Sequence, residues 1–371
     1  MKKTKVILKI VLFPLIAFML IYGLLSFITY STHNDEIRLK LFYNEPATSL
    51  DVVFIGPSTM RAGIIPTKIF EEEGLTSYVM ATDTLPLDLA IPIIEESEIA
   101  QKPQIYVIDI NSISFPNTAS VDYARKKFLN SVPNKQRKDK YIKKIIPKNK
   151  IIDYSLPLYA NHYNWNWLPD IIKNRQMDID NKKSVLKGFS SSFYQAELKE
   201  ENIIDISNYT KSKKPDKNNL SLLEELLKYI KQKQLKVMFI KTPRFIEESS
   251  LQEVEMVNYV EKIIRNEGLI VKDYSKEILN LNLETKDFYD FTHLNVDGAI
   301  KFSSIISKDL IGLSCVERRT HNDAVAKDWN ESAENVNKFI EFYQQKDNSH
   351  LEKTIFGDKT MLEFQRDKNH A

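Results

Sequence analysis

Hydrophobic positions fall into two patterns along the chain. Residues 6–30 (VILKIVLFPLIAFMLIYGLLSFITY) are apolar apart from Lys9. The uninterrupted part, 10–30, is long enough as a helix to cross about 30 Å of hydrocarbon. Lys2, Lys3 and Lys5 precede it, which by the positive-inside rule places residues 1–5 in the cytoplasm and everything after the span outside. The segment ends in bulky residues rather than an A-x-A-like cleavage site, so an uncleaved anchor is expected rather than a removed signal peptide. A polar stalk (31–50) follows. Beyond it, short apolar runs at 51–55 (DVVFI), 77–80 (SYVM), 104–110 (QIYVIDI), 235–240 (LKVMFI) and 269–271 read as strands buried on both faces of a parallel sheet. Amphipathic stretches at 67–73, 87–100, 220–234, 247–266 and 298–311 read as helices between and after them. The alternation predicts an α/β fold, a three-layer α/β/α sandwich around a central parallel sheet, with ligands at the carboxyl ends of the strands.

The boundaries follow. The α/β domain covers 51–312, an insertion of about 115–212 interrupts it, and 313–371 form a polar, helix-prone extension. Lys+Arg total 52 and Asp+Glu 50, so no global field recruits nucleic acid, and the outward topology disfavours it further. The single cysteine, Cys315, cannot form an internal disulfide, and no Cys/His zinc spacing occurs. With 9 glycines there is neither a Walker A sequence nor a GxGxxG. Neither a metal nor an organic cofactor is required.

Candidate chemistry concentrates in two places. Gly56-Pro57-Ser58 directly follows the first strand. A serine there is either a turn or helix-cap residue or a nucleophile whose turn offers amides to an oxyanion. Late in the chain, Asp287-Phe288-Tyr289-Asp290-Phe291-Thr292-His293-Leu294-Asn295 precedes a periodic helix that Asn295 can cap. In a turn, the Asp290/His293 spacing lets a carboxylate hold Nδ1–H and leave Nε2 free as a base. The alternative is a histidine satisfied by backbone groups beside an exposed acid.

A strand followed by G-x-S, with D-x-x-H-L-N-x-x-G late in the chain, resembles the SGNH/GDSL hydrolase superfamily over about 51–311. It looks particularly like membrane-anchored bacterial members related to cell-envelope acyl-transfer proteins, including the D-alanyl-lipoteichoic-acid biosynthesis branch. The resemblance implies an SGNH/flavodoxin-like fold. It makes Ser58 the nucleophile, His293 the general base and then acid, and Asp290 the residue orienting it, with Asp287 next in line for the acid. It also assigns oxyanion donors: the backbone at Ser58, the amide of Ala81 in the place of a glycine, and the side chain of Asn111. The sequence departs from the pattern in reading GPS for GDS, in Ala81, and in Asp109-Ile110-Asn111-Ser112 for G-x-N-D. Losing one oxyanion donor costs on the order of 3 kcal/mol in the transition state.

Two functions are therefore carried forward. The first is a serine acyl-ester hydrolase or O-acyltransferase on the outer face of the membrane, acting on an envelope glycan, a teichoic-acid-like polymer or a lipid-linked substrate. The second is a silent scaffold of the same fold that binds envelope polymer or a membrane-bound acyltransferase. Lys241 and Arg244, after the fourth strand, are candidates to hold a phosphate or carboxylate, or are loop charges. Residues 125–150 carry eleven Lys/Arg and one acid, a patch for polyanions or lipid headgroups or else a solvated face. His162, Tyr159, Trp165 and Trp167 line a sugar surface or fill the insertion's own core.

Overall fold

The computed structural model describes residues 2–28, 34–156, 169, 172, 182–313, 316–346 and 355–368. Five strands, β1 (Val52–Gly56), β2 (Ser77–Ala81), β3 (Ile105–Asp109), β4 (Val237–Lys241) and β5 (Ile270–Asp273), form one parallel sheet in the order β2-β1-β3-β4-β5. The first four are buried at every position, as near-continuous apolar runs require. β5 alternates buried and half-buried residues, the pattern of an edge. At the other edge the Val79 amide donates to the Lys187 carbonyl at 3.0 Å, so the open side of β2 is covered.

Helices cover both faces. Alternate strand residues, Val53, Ile55, Tyr78, Met80, Tyr106, Ile108 and Phe239, join a core with α5 (Ala90–Ala100), α9 (Lys217–Lys233) and α10 (Leu251–Asn266). The intervening residues, among them Val52, Phe54, Val107 and Ile240, pack on the opposite face with Met60, Ile69, Phe302 and Ile306. These come from α3 (Ser58–Gly63), α4 (Pro66–Glu73) and α11 (Val296–Gly312). Period-2 side chains sent to two helical layers make the expected three-layer arrangement. Element ends shift by a few residues. α9 begins at Lys217, where Asp216 accepts the Asn219 amide, and 110–114 wind into a 3₁₀ turn instead of extending the third strand.

Residues of the stalk region, the insertion and the C-terminal extension are buried in the fold. The stalk region contains α2 (Asn34–Leu41), whose Ile37, Leu39 and Leu41 are buried along with Phe42. In the insertion, α6 (Ala119–Ser131), α7 (Lys135–Ile145) and α8 (Ile151–Ser155) deliver Phe128, Tyr141, Ile142 and Tyr154 to the main core. In the C-terminal extension, α12 (Asp323–Gln344) buries Trp329 completely against Phe70, ring centroids 5.3 Å apart, and α13 (Asp358–Lys368) follows. The linker before α12 is clasped to the amino edge of the sheet. His321 Nε2 lies 2.9 Å from Asp51 Oδ2, while Asp51 also accepts from the Thr76 amide and hydroxyl and from Gln104.

Six of the eleven cations of the basic stretch are paired with acids outside it. Arg125 pairs with Asp88, Lys127 with Asp35, Arg137 with Glu96, Lys140 with Glu95, Lys144 with Glu225 and Lys150 with Asp122. Those acids are remote in sequence, which is why a local charge count does not show the pairing. Helix α1 spans Lys2–Ile28; of its described side chains, 10–24, Phe13, Phe18 and Leu20 are 77%, 66% and 70% exposed. Among the described residues no helix is long and apolar enough to cross a membrane. The aromatic cluster at 158–168 and Cys315 lie outside the described residues.

Candidate active site

The nucleophile candidate stands where β1 gives way to α3. Gly56 ends the strand because nothing larger fits: a Cβ there would lie 2.8 Å from Asp109 Cβ and 2.9 Å from Met60 Cβ. Pro57 is extended, and its carbonyl accepts the Met60 and Arg61 amides at 3.1 and 3.2 Å. Ser58 is thereby the first residue of the helix, and the amides of Ser58 and Thr59 come before the first one that the Pro57 carbonyl accepts. Proline is compatible with this position, since the N–H it lacks precedes the turn that matters.

The partner loop is a tight structure of its own. Phe288 and Leu294 bridge, the Tyr289 amide donates to the His293 carbonyl at 3.1 Å, and Asp290 Oδ1 accepts the amides of Thr292 and His293, both at 2.8 Å. Asn295 caps α11 by accepting the Gly298 amide, and its Nδ2 donates to the carbonyls of Lys286 and Tyr194. A Cβ on Gly298 would meet the Asp287 carbonyl at 2.2 Å, so loop and helix can close together only with glycine there.

This loop carries His293 to the end of β1. Ser58 Oγ lies 2.7 Å from His293 Nε2, and His293 Nδ1 lies 2.8 and 2.9 Å from the two Asp290 oxygens. Burial alone would raise the Asp290 pKa, but its hydrogen bond to His293, the imidazole charge, and the Thr292 amide and hydroxyl together hold it below the usual value. An ionised Asp290 can only accept, so Nδ1 carries the hydrogen and Nε2 accepts from the Ser58 hydroxyl. The row is unbroken from hydroxyl to carboxylate.

Asp287, the other acid considered, is turned away: it accepts from Lys301 Nζ at 2.7 Å and from the Glu284 amide at 2.8 Å. Asn111 is 3% exposed, yet among the described residues neither its Nδ2 nor its Oδ1 has a hydrogen-bond partner. Its backbone is fixed by Asp109, whose Oδ1 accepts the Asn111 amide at 2.7 Å and whose Oδ2 accepts the hydroxyls of Thr242 and Thr59 at 2.7 and 3.2 Å. Burial raises the Asp109 pKa against those hydrogen bonds. One carboxyl thus ties the ends of β3 and β4 to the helix that bears Ser58. Ala81 is the last residue of β2, level with Gly56, and its carbonyl accepts from the Arg38 guanidinium.

No family model matches this chain, and no curated protein does. Two solved bacterial structures are similar in outline. A lipase/acylhydrolase from Enterococcus faecalis has 9% identity and a TM-score of 0.34, covering 73% of this chain and 100% of its own. A "putative acylhydrolase" from Bacteroides fragilis has 12% identity and a TM-score of 0.33, covering 71% and 87%. The likeness is slight and concerns shape; any assignment of chemistry rests on the side chains.

The two cations expected at the rim sit elsewhere in character. Lys241 is fully buried at the end of β4, its Nζ 3.8 Å from Asp273 and without a hydrogen bond; burial brings its pKa down to about 8, with Asp273 opposing. Arg244 is 7% exposed, pairs with Glu253 at 2.5 Å and lines a cavity of about 430 Å³ with Phe245, Ile246, Ile278 and Leu283. The lysine is therefore no loop charge. Sequence reasoning missed Asp109, Thr292 and Tyr289. Thr292 Oγ1 lies 2.9 Å from Asp290 Oδ1 and 2.9 Å from His293 Nδ1, and the Tyr289 ring stacks on the imidazole at 5.1 Å and 3°. All three are within two residues of a named candidate, and that adjacency was the available signal. Among the described residues no group of His, Cys, Asp and Glu is arranged to hold a metal ion.

Proposed function

We propose that the protein is a serine acyl-ester hydrolase or O-acyltransferase. One observation carries the reading: Ser58 Oγ lies 2.7 Å from an imidazole nitrogen whose opposite nitrogen is held by a carboxylate. Ser58 attacks the ester carbonyl as His293 Nε2 takes its proton, and Asp290 steadies the resulting imidazolium. The unpartnered Asn111 amide and the first-turn amides of α3 receive the developing oxyanion. His293 returns its proton to the leaving alcohol. Water, or a glycan hydroxyl, then attacks the acyl-enzyme with His293 as base again.

The apolar sequence of residues 10–30, of which the described side chains cover 10–24, supports a membrane-anchored enzyme. With Lys2, Lys3 and Lys5 ahead of that apolar run, it favours an outward-facing domain that works on an envelope polymer or lipid-linked ester. A fluorophosphonate probe with the full-length protein in detergent is the direct test. Labelling that disappears in Ser58→Ala, with ester turnover falling by about 10⁴-fold or more, is the expected result. Absence of labelling near neutral pH would instead make the protein the silent scaffold.

A further inference from the structure

The cavity of about 430 Å³ stands at the carboxyl ends of β4 and β5, the side of a parallel sheet where ligands sit, and has no part in the steps above. Three segments build it. Residues 244–246 follow β4 and residues 275–285 follow β5. Ile203, Ile204 and Ile206 come from the end of the insertion, where the Ile204 amide donates to the Ile246 carbonyl at 2.8 Å. The walls are apolar and well packed: Ile206, Phe245, Ile246 and Leu283 are no more than 7% exposed. Leu279 also lines the cavity but is 69% exposed, so an apolar surface continues from the interior to solvent.

Among the described residues that line it, the buried ion is Arg244. Its guanidinium donates to Glu253, while its Nε has no hydrogen-bond partner among the described residues. A guanidinium N–H kept from water without an acceptor is costly, so the site is incomplete as it stands. The Glu253 side chain is 39% exposed and is free to shift with its partner. Three carboxylates line the cavity too, Glu200, Asp205 and Glu284, and all are exposed. Glu284 pairs with Lys286, and Asp205 accepts the Ser207 amide. Those acids disfavour a multiply charged ligand. One buried guanidinium among apolar walls suits a single negative charge on an apolar body.

We propose that this cavity binds a free carboxylic acid with an apolar chain, its carboxylate on Arg244 and its chain against Phe245, Ile246 and Leu283. Such a site goes beyond the ester chemistry, since Ser58, Asp290 and His293 do not line it. The two sites nonetheless share a wall. The Phe245 amide donates to the Phe291 carbonyl at 2.9 Å, and the Phe245 and Phe288 ring centroids are 4.5 Å apart. A chain packed on Phe245 therefore bears on the loop that holds His293.

Calorimetric titration of the full chain in detergent, with protein-free micelles as blank, tests this with hexanoate and octanoate as probes and octanamide as the neutral control. Saturable binding of both acids is expected. Octanoate should bind about fifteenfold more tightly than hexanoate, since each buried methylene contributes about fourfold. Octanamide should bind about tenfold or more weakly than octanoate, for want of a charge-assisted hydrogen bond. Arg244→Met should erase that difference, and Leu283→Trp, which fills the cavity, should weaken acid and amide alike, with circular dichroism showing that both variants are folded. Wild type that binds acid and amide equally, or binds neither acid, overturns the proposal, as does an Arg244→Met protein that still prefers the acid. Ser58→Ala separates the two sites and should bind octanoate as wild type does. If that variant loses the acid, octanoate occupies the catalytic centre and the cavity site falls while the ester reading stands. If no ester is turned over yet octanoate still binds through Arg244, the catalytic reading falls and the cavity site stands.

Discussion

At the carboxyl edge of the sheet a hydroxyl, an imidazole and a carboxylate stand in a row; at the amino edge the same three groups meet at one point. Ser58 and Asp290 address opposite nitrogens of His293. Thr76 Oγ1 and Asp51 Oδ2 both approach Nε2 of His321, at 3.4 and 2.9 Å. A proton taken from Thr76 would have to settle on the nitrogen that already faces the carboxylate, so nothing is relayed. The surroundings differ in the same sense. Asp51 accepts from Thr76 and Gln104 besides the histidine, so its carboxylate is engaged by three residues. At the end of β3, the Asn111 side-chain amide is buried and has no hydrogen-bond partner among the described residues. Composition alone does not separate a clasp from a relay; the order of the groups and the presence of unused donors do.

The widest gap should appear on changing the two carboxylates of the loop that carries His293. Asp290→Asn is expected to lower kcat for ester turnover by about 10⁴-fold, since the wrong tautomer of the imidazole is then favoured. Asp287→Asn, nearby but facing Lys301, should instead lower stability by roughly 1–3 kcal/mol in chemical denaturation. Equal kinetic losses from both would remove the distinction between them. Next in size, Asn111→Ala should cost about 10²–10³-fold in kcat with KM little changed. Its unfolding midpoint should move by less than about 1 kcal/mol, because the side-chain amide has no hydrogen bond to lose. A large stability loss with intact turnover would mark Asn111 as structural.

At the amino edge, His321→Ala should destabilise by about 1–3 kcal/mol, because the buried Asp51 loses one of its partners. Ester turnover at a temperature well below the melt should be unaffected, and a kcat loss there would tie the clasp to catalysis. The smallest effect concerns pH. Because the folded pKa of Asp290 is lowered, its contribution to stability is complete above the unfolded carboxylate value of about 3.9 and is lost as pH falls through the lower folded value. The stability difference between wild type and Asp290→Asn should therefore shrink only below about pH 4. Half-exposure of the side chain keeps it small. A difference that widens in acid would contradict the ion pair.

Much of the site could be read from the chain because its parts are local. Asp290, Thr292, His293 and Asn295 work within one turn, and Gly298 is explained by the same few residues, so a short motif contains the geometry. Gly56 and Ser58 are similarly local to the end of a strand. The charges were less legible. Eleven cations over 125–150 suggested a patch, but most of their partners lie on other elements, Glu95 and Glu96 on α5 and Glu225 on α9 among them. Lys241 looked like a loop cation and is a buried strand residue. The polar stretch before β1 reads as a stalk because its acids and bases look solvated; in the fold Asp35 and Arg38 find each other and Lys127 and go inside.

Sequence by itself determined the strand-and-helix alternation and the parallel sheet, since periodicity acts over a few residues, and through a resemblance it offered Ser58, His293 and a choice between Asp290 and Asp287 as candidates. Tertiary structure alone decided which carboxylate faces the imidazole, which cations are neutralised and that Asn111 stays without a partner. Those outcomes depend on which groups meet across the sheet, and pairing between remote elements is set by packing of the whole core rather than by any stretch of chain.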